Sequence, residues 1–296
     1  MSASWLMVLA SFLFATMGVC VKLASADYSP GEIMFYRGIT GAVLIWCLAR
    51  SRGVSLKTSV PATHFWRSLS GVVAMFLWFY ALGKLPVATA MTLNYMSSVW
   101  MALFLIGGAA MLGSARVDGR LIATVLLGFG GVALILRPTI EHDQLWHGLM
   151  GLLSGMISAT AYLQVTALAR AGEPEVRIVF YFSIGGAVFG GLTTLWSGVH
   201  GHSWKGVALL LAVGLLATVA QLMMTRAYAT GRTLVNASLQ YLGIAFSFGY
   251  GVLLFNDKVT WMALTGMVLI VGAGLSATML RSHAAPPDTA NAPLES

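Results

Sequence analysis

Two cations stand in otherwise apolar sequence: Lys22, near the end of the run 4–24, and Arg37, early in the run 32–50. An ionisable side chain at membrane depth is a functional candidate by default. A guanidinium or ammonium with no facing carboxylate suits a ligand bearing a carboxylate, phosphate or sulfate. For Lys22 other roles stay open: it could snorkel to the interface, or pair with Asp27 and Glu32 as a structural latch or gate. Arg37 sits deeper in its run and is read as substrate-binding.

Amides form the second polar set: Asn94, Gln164, Gln221 and Gln240. Each could act as interhelical glue, or all could face one cavity with the cations. Tyrosines form the third: Tyr36, Tyr80, Tyr95, Tyr162, Tyr181, Tyr228, Tyr241 and Tyr250. Those near the ends of apolar runs suit an interfacial belt. Tyr95 and Tyr241 lie mid-run beside Asn94 and Gln240, where an aromatic-plus-amide surface could line a mostly apolar pocket. The candidate substrate-binding set is Lys22, Arg37, Tyr36, Tyr80, Asn94, Tyr95, Gln164, Tyr181, Gln221, Tyr228, Gln240 and Tyr241.

Other chemistries find no support. There is no Gly-x-x-x-x-Gly-Lys-Ser/Thr loop, so ATP hydrolysis by that route is excluded. The histidines fall in loops or at run margins, and His200-x-His202 has no partnered cysteine or acid cluster, so no metal or other cofactor is expected. A membrane-embedded transferase or hydrolase needs a nucleophile with a base and an orienting group. The runs hold serine and threonine but no His or carboxylate near mid-membrane, so an enzyme is not expected.

These residues are positioned by a chain with 58% hydrophobic and 9% charged residues. A soluble domain carries roughly a quarter charged residues. Ten apolar runs approach or exceed bilayer-crossing length: 4–24, 32–50, 66–83, 86–111, 119–136, 147–169, 176–198, 204–226, 233–255 and 260–280. In lipid such runs satisfy their own backbone as helices, and the alternation of a membrane barrel is absent. The first run is too long for a signal core and lacks a basic start, so it reads as a retained helix. Cys20 and Cys47 both lie inside runs and read as small hydrophobes.

The chain also repeats itself. Phe35-Tyr36-Arg37-Gly38-Ile39-Thr40-Gly41-Ala42-Val43 returns as Phe180-Tyr181-Phe182-Ser183-Ile184-Gly185-Gly186-Ala187-Val188, and Tyr80-Ala81-Leu82-Gly83 as Tyr228-Ala229-Thr230-Gly231. In register, Arg37 faces Phe182 and Lys22 faces Ala167, so positive charge exists in one copy only. Five runs per copy is odd, which reverses the second copy in the membrane. The expected fold is an all-α integral membrane protein of ten transmembrane helices in two inverted-topology five-helix repeats, 1–140 and 141–282, with a disordered cytoplasmic tail 283–296. Such a duplication is the usual blueprint of a secondary transporter.

Charge gives the orientation. Arg50, Arg52, Lys57, Arg67, Arg116, Arg120, Arg170, Arg177, Arg226, Arg232 and Arg281 fall on one side, against Lys84, Arg137, Lys205 and Lys258 on the other. By the positive-inside rule both termini are cytoplasmic, and the net charge of +7 needs no nucleic acid to explain it. Glycines at packing spacing, Gly151 with Gly155 and Gly186 with Gly190, serve close approach within the chain or dimerisation. Ten helices need many such contacts, so a monomer is sufficient and a homodimer is left open.

From about Trp5 to Leu280 the chain resembles the drug/metabolite transporter superfamily, specifically its EamA branch. The resemblance rests on Phe14-Ala15 followed by Lys22, on Glu32 before Arg37, and on Phe255-Asn256-Asp257-Lys258-Val259, where Asp257 takes the place of the family's acid as a gate or structural charge. Gly128-Phe129-Gly130-Gly131-Val132 and the stretch Gly266 to Gly274 keep its glycine pattern. In Leu112-Gly113-Ser114-Ala115-Arg116-Val117 a serine replaces the acid. Where the family often has mid-helix prolines, this chain has Ser97 or Ser98 and Gly243, which puts a break in the fourth helix in doubt.

The resemblance implies an alternating-access carrier for small metabolites in a bacterial inner membrane. Export of amino acids or related anionic or zwitterionic metabolites is the favoured expectation. Uptake or exchange of a vitamin, a nucleotide-derived or another small solute is the alternative, and a membrane-embedded transferase the alternative of another class.

Overall fold

The computed structural model describes residues 2–111, 142–231, 239–257 and 260–284, with the single positions 123, 127, 128, 130, 131, 134 and 236. Among the described residues the regular structure is helical: α1 (Ala3–Ala24), α2 (Pro30–Ser51), α3 (Pro61–Lys84), α4 (Val87–Tyr95), α5 (Ser97–Met111), α6 (His142–Arg170), α7 (Glu175–Ser197), α8 (Trp204–Thr230), α9 (Leu242–Phe255) and α10 (Trp261–Ala284). Six of them, α1 to α3 and α6 to α8, are long and apolar enough to cross a membrane. The expected span 119–136 falls mostly outside the described residues, as does most of the expected tail.

Local chemistry sets the ends. Ser29 caps α2 by accepting from the Glu32 amide while the Glu32 carboxylate accepts from the Ser29 amide, a reciprocal capping box. Ser203 accepts from Gly206 N at the start of α8. The chain leaves α7 through Gly198 at φ 88°, a left-handed conformation that glycine adopts without steric cost. Proline at the first turn starts α3 at Pro61, a full turn before the apolar run at 66. Arg67, expected to flank a loop, is therefore inside a helix.

The expected fourth span divides at Met96, whose amide is shared between the Thr92 and Leu93 carbonyls as the helix tightens. The expected ninth span, 233–255, has a turn at Gln240 and Tyr241 before α9 begins. No proline is needed for either interruption. Both fall beside the amide–tyrosine pairs, Asn94-Tyr95 and Gln240-Tyr241.

Packing joins helices from opposite halves. α2 packs most extensively on α7, α3 on α6, and α1 on α8, while α4 meets α9. Exchanging the first-half helices for their second-half counterparts leaves this set of pairs unchanged. Glycine brings α2 and α7 together: a Cβ on Gly38 would lie 2.8 Å from Ser183 O, and one on Gly190 2.8 Å from Gly31 O. Gly155 brings α6 equally close to the Asn94 carbonyl of α4. Both glycine pairs thus pack within the chain, where dispersion between close backbones drives association.

Candidate functional site

A cavity of about 70 Å³ lies where α1, α2, α3, α4, α6, α7 and α8 converge beside the turn at Gln240. Its polar lining comprises Arg37, Arg67, Asn94, Tyr95, Ser158, Tyr162, Gln221 and Gln240, and Phe14, Met75, Trp78 and Phe182 close it with apolar surface. Sites for drug-sized ligands run to roughly 300–1,000 Å³. A ligand of that size fits only if the surrounding helices part.

The charge here is one-sided. Arg37 on α2 is 5% exposed and Arg67 on α3 is 2% exposed. Their guanidinium carbons lie 5.0 Å and 4.0 Å from the centre of the same Phe182 ring on α7. Cation–π attraction holds both against that ring. Among the described residues neither arginine has a carboxylate in ion-pair range, and no Asp or Glu lines the cavity. Arg37 Nε and Arg67 Nε and Nη1 are buried with no acceptor among those residues.

Arg67 does not snorkel. Its guanidinium folds one turn inward over Gly71, where a Cβ would collide with Nη1. Leaving the near helix end for the bundle interior is the reverse of what an interfacial arginine does. A buried cation that faces the interior of a membrane bundle is a functional candidate by default.

Three of the amides reach the cavity. Asn94 Nδ2 donates to Ser154 Oγ at 3.0 Å and lies 3.4 Å from Ser158 Oγ, so it ties α4 to α6 at the cavity wall. Gln221 and Gln240 line it from α8 and from the turn before α9. Tyr95 does so too, with its ring seated on Gly243 of α9, where a Cβ would fall 2.7 Å from the ring. The two helix interruptions thus supply Asn94, Tyr95 and Gln240 to one space.

The remaining expected residues lie elsewhere. Gln164 accepts from Ser70 Oγ at 2.7 Å, joining α6 to α3. Tyr228 is buried against Tyr162, their rings stacked 5.7 Å apart. Tyr241 lies in the wall between α9 and α10. Tyr80 stacks on His147, and Tyr36 meets His202. Tyr181 donates to the Leu56 carbonyl at 3.0 Å.

Lys22 is also outside the cavity. Its Nζ donates to the Leu85 carbonyl at 2.8 Å and to that of Gly83 at 3.3 Å, closing the C-terminal end of α3. Asp257 supplies a nearby negative charge; burial raises its carboxyl pKa above the ordinary range, and Lys22 opposes that rise. Glu32 takes the capping-box bond and bonds from the His200 backbone and ring, tying α2 to the α7–α8 connection. Asp27 is exposed in the turn after α1.

The opposite end of the bundle carries a second polar cluster. Glu173, between α6 and α7, accepts from Arg177 at 2.8 Å and Thr58 at 2.8 Å, with His64 Nε2 at 3.0 Å. Burial pushes its carboxyl up, but these bonds outweigh burial and hold it below the usual carboxylate range.

Sequence reasoning missed Arg67, Trp78 and Phe182 as cavity residues. Pro61 as a helix start and Gly71 four residues after Arg67 were the available signals for the first. Phe182 had been legible only as the counterpart of Arg37.

A larger groove of about 670 Å³ runs between α9 and α10, but Leu, Met, Val and Ile dominate its lining. It has none of the convergent polar groups that orient a solute.

The family model described as the EamA-like transporter family matches residues 1–137. The pseudopaline exporter of Pseudomonas aeruginosa is 32% identical over 90% of this chain and 93% of its own length. A riboflavin transporter of Rhizobium johnstonii is 26% identical over 92% and 89%. An S-adenosylmethionine uptake transporter of Rickettsia bellii is 24% identical over 82% of each chain. A crystal structure 18% identical in sequence superposes with a TM-score of 0.70 over 96% of this chain and 99% of the other, a likeness of fold.

Proposed function

The chain belongs to the EamA-like transporter family, and from that premise we propose that it is a secondary transporter moving small anionic or zwitterionic metabolites, amino acids or their relatives, by alternating access. The observation that carries the proposal is the pair of buried arginines, Arg37 and Arg67, held against Phe182 without a carboxylate among the described lining residues. Apolar walls with a few polar groups are the usual form of a solute site. Tyr95 and the amides Asn94, Gln221 and Gln240 supply neutral hydrogen bonds beside the charge.

Ten spans in two inverted five-helix repeats accord with the exchange-symmetric pairing of helices. They accord also with the interruptions at Met96 and at Gln240-Tyr241, in corresponding positions of the two halves. Broken helices at such positions point to the binding site of inverted-repeat carriers. Rocking one half against the other would open the cavity first to one side and then to the other. Lys22, Asp257, Glu32 and the Glu173 cluster lie towards the bundle ends and suit gates rather than cargo contacts.

A multi-pass inner-membrane location with both termini cytoplasmic follows from the excess of Lys and Arg in alternate connections. Export is favoured because the pseudopaline relative is named an exporter. Uptake is the second reading, since the S-adenosylmethionine relative is named an uptake transporter.

Purified protein in liposomes tests the proposal by uptake and counterflow of a broad panel of labelled metabolites. Movement of anionic or zwitterionic members, lost in Arg37→Gln, is the expected result. An Arg37→Gln protein that folds and transports normally sinks the anion site, and no flux across the whole panel sinks transport of such cargo.

A further inference from the structure

Arg67 changes what the cavity can hold. With Arg37 alone, one carboxylate would suffice to neutralise the site. Two guanidiniums against a single phenyl ring make a fixed charge of two, because arginine stays protonated in proteins. They repel each other in a region of low dielectric. Among the described residues nothing acidic lines the cavity to offset either.

The unpaired groups are mostly donors: Gln221 Nε2 is one, and Gln240 Oε1 is the one acceptor among the described lining residues. Arg37 Nε, Arg67 Nε, Arg67 Nη1 and Trp78 Nε1 are buried donors with no acceptor among the described residues. These four and the Gln221 donor belong to side chains that line the cavity, so unpaired donors outnumber unpaired acceptors there by five to one. A buried donor left unmatched costs free energy, and a charged one costs more. Their common complement is a ligand rich in anionic acceptors.

Resting on the anion-carrier reading above, we infer that the cavity selects cargo bearing two anionic groups, one for each guanidinium beside Phe182. A carrier must close over its cargo on both sides before reopening. In that occluded form bulk counter-ions are shut out, and a cargo with one anionic group leaves one guanidinium uncompensated. A cargo with two anionic groups gives each guanidinium its own counter-charge before the halves close. Arg67 is then the specificity residue, because it adds the second charge. Trp78 Nε1 and the amides orient the uncharged part of the cargo.

Dicarboxylates and carboxylates that also carry a phosphate monoester share this chemistry. Matched probes separate them: glutamate against glutamine, and O-phosphoserine against serine, each pair differing in one anionic group. Ligand-dependent thermal stability of the full-length purified protein is read first, then inhibition of counterflow in liposomes. Because a charge-assisted hydrogen bond is worth about a factor of ten or more in affinity, the member of at least one pair that bears two anionic groups is expected to bind about tenfold more tightly than its partner. A preference for glutamate names dicarboxylates, and one for O-phosphoserine names carboxylates that carry a phosphate monoester. Arg67→Gln is expected to bring the ratio close to one, and Arg67→Lys to retain part of it.

Equal binding within both pairs overturns the two-anion inference while leaving the anion carrier standing. Binding of no probe in either pair overturns both. A ratio that survives in folded Arg67→Gln removes Arg67 as its source and overturns the inference as well. The ratio in the unmodified protein decides the matter even where a variant does not fold.

Discussion

Arg37 and Phe182, the residues that the two copies of the internal repeat place in register, touch in the folded chain: the guanidinium carbon lies 5.0 Å from the ring centre. The close packing of α2 on α7 brings these equivalent positions together. At this position the copies differ, one contributing a cation and the other a neutral ring. Arg67 approaches the same ring at 4.0 Å, so one aromatic side chain supports two like charges.

Phe182→Leu keeps much of the volume and removes the π face. Cation–π contacts with desolvated arginines are worth about 0.5–2 kcal/mol each. The variant is expected to lose about that much stability, with a lower unfolding midpoint in detergent. Anions should restore more of the midpoint than they add to the unmodified protein, since their charge replaces the lost support. An unchanged midpoint would mean that the ring does not hold the arginines.

Gly71→Ala tests the placing of Arg67 without altering its charge. The new methyl would occupy the space of Arg67 Nη1 and come within 2.9 Å of Phe182 Cε2. Overpacking of this kind costs about 1–3 kcal/mol. The protein is expected to fold, to run as a single species on size exclusion, and to bind whichever of glutamate and O-phosphoserine the unmodified protein prefers at least about tenfold more weakly. Normal affinity would show that the inward fold of Arg67 is not needed for binding.

Glu173 governs the acid limb of stability. Its carboxyl is raised by burial but held below the ordinary range by bonds from Arg177, His64 and Thr58. A depressed carboxylate contributes stability that is fully present above its unfolded value, about pH 4.3, and is lost as pH falls through its folded value. Unfolding midpoints measured from pH 7 down to pH 3 should therefore fall less steeply in Glu173→Gln than in the unmodified protein. At pH 7 the variant should be less stable by about 2 kcal/mol, because charge-assisted bonds are lost. Parallel curves would remove Glu173 from the acid response.

The unlike pair at Arg37 and Phe182 was legible because the nine-residue echo around them aligns without gaps. Lys22 was equally conspicuous in sequence, yet its partners, the carbonyls of Gly83 and Leu85, belong to the end of another helix. Periodicity does not report such a long-range contact. Arg67 was hidden for a different reason. The apolar run begins at 66, but the helix begins at Pro61, so a residue that looked like a loop flank occupies the second turn. The interruption at Met96 was left in doubt because it was sought through proline. Close packing of Tyr95 on Gly243 accompanies it instead, and one sequence does not show which residues meet across halves.

Lys22 separates a gate from a cargo contact. Its ammonium satisfies two carbonyls at the end of α3 and lies near Asp257, so it links α1, α3 and the segment after α9. Lys22→Met keeps the length and apolar stem but removes the donors. The cost should be about 1.5–3 kcal/mol, as for hydrogen bonds to a charged group. Burial already raises the Asp257 carboxyl, and loss of the ammonium pushes it higher. Lys22→Met should therefore lose further stability as pH rises through the carboxylate range, where Asp257 must ionise without its cation. Asp257→Asn added to Lys22→Met should remove that slope, and a double-mutant cycle should return a non-zero coupling. Affinity for the preferred of glutamate and O-phosphoserine, read separately by titration, should change little. A large loss of affinity with unchanged stability would instead move Lys22 from the gate to the cargo site.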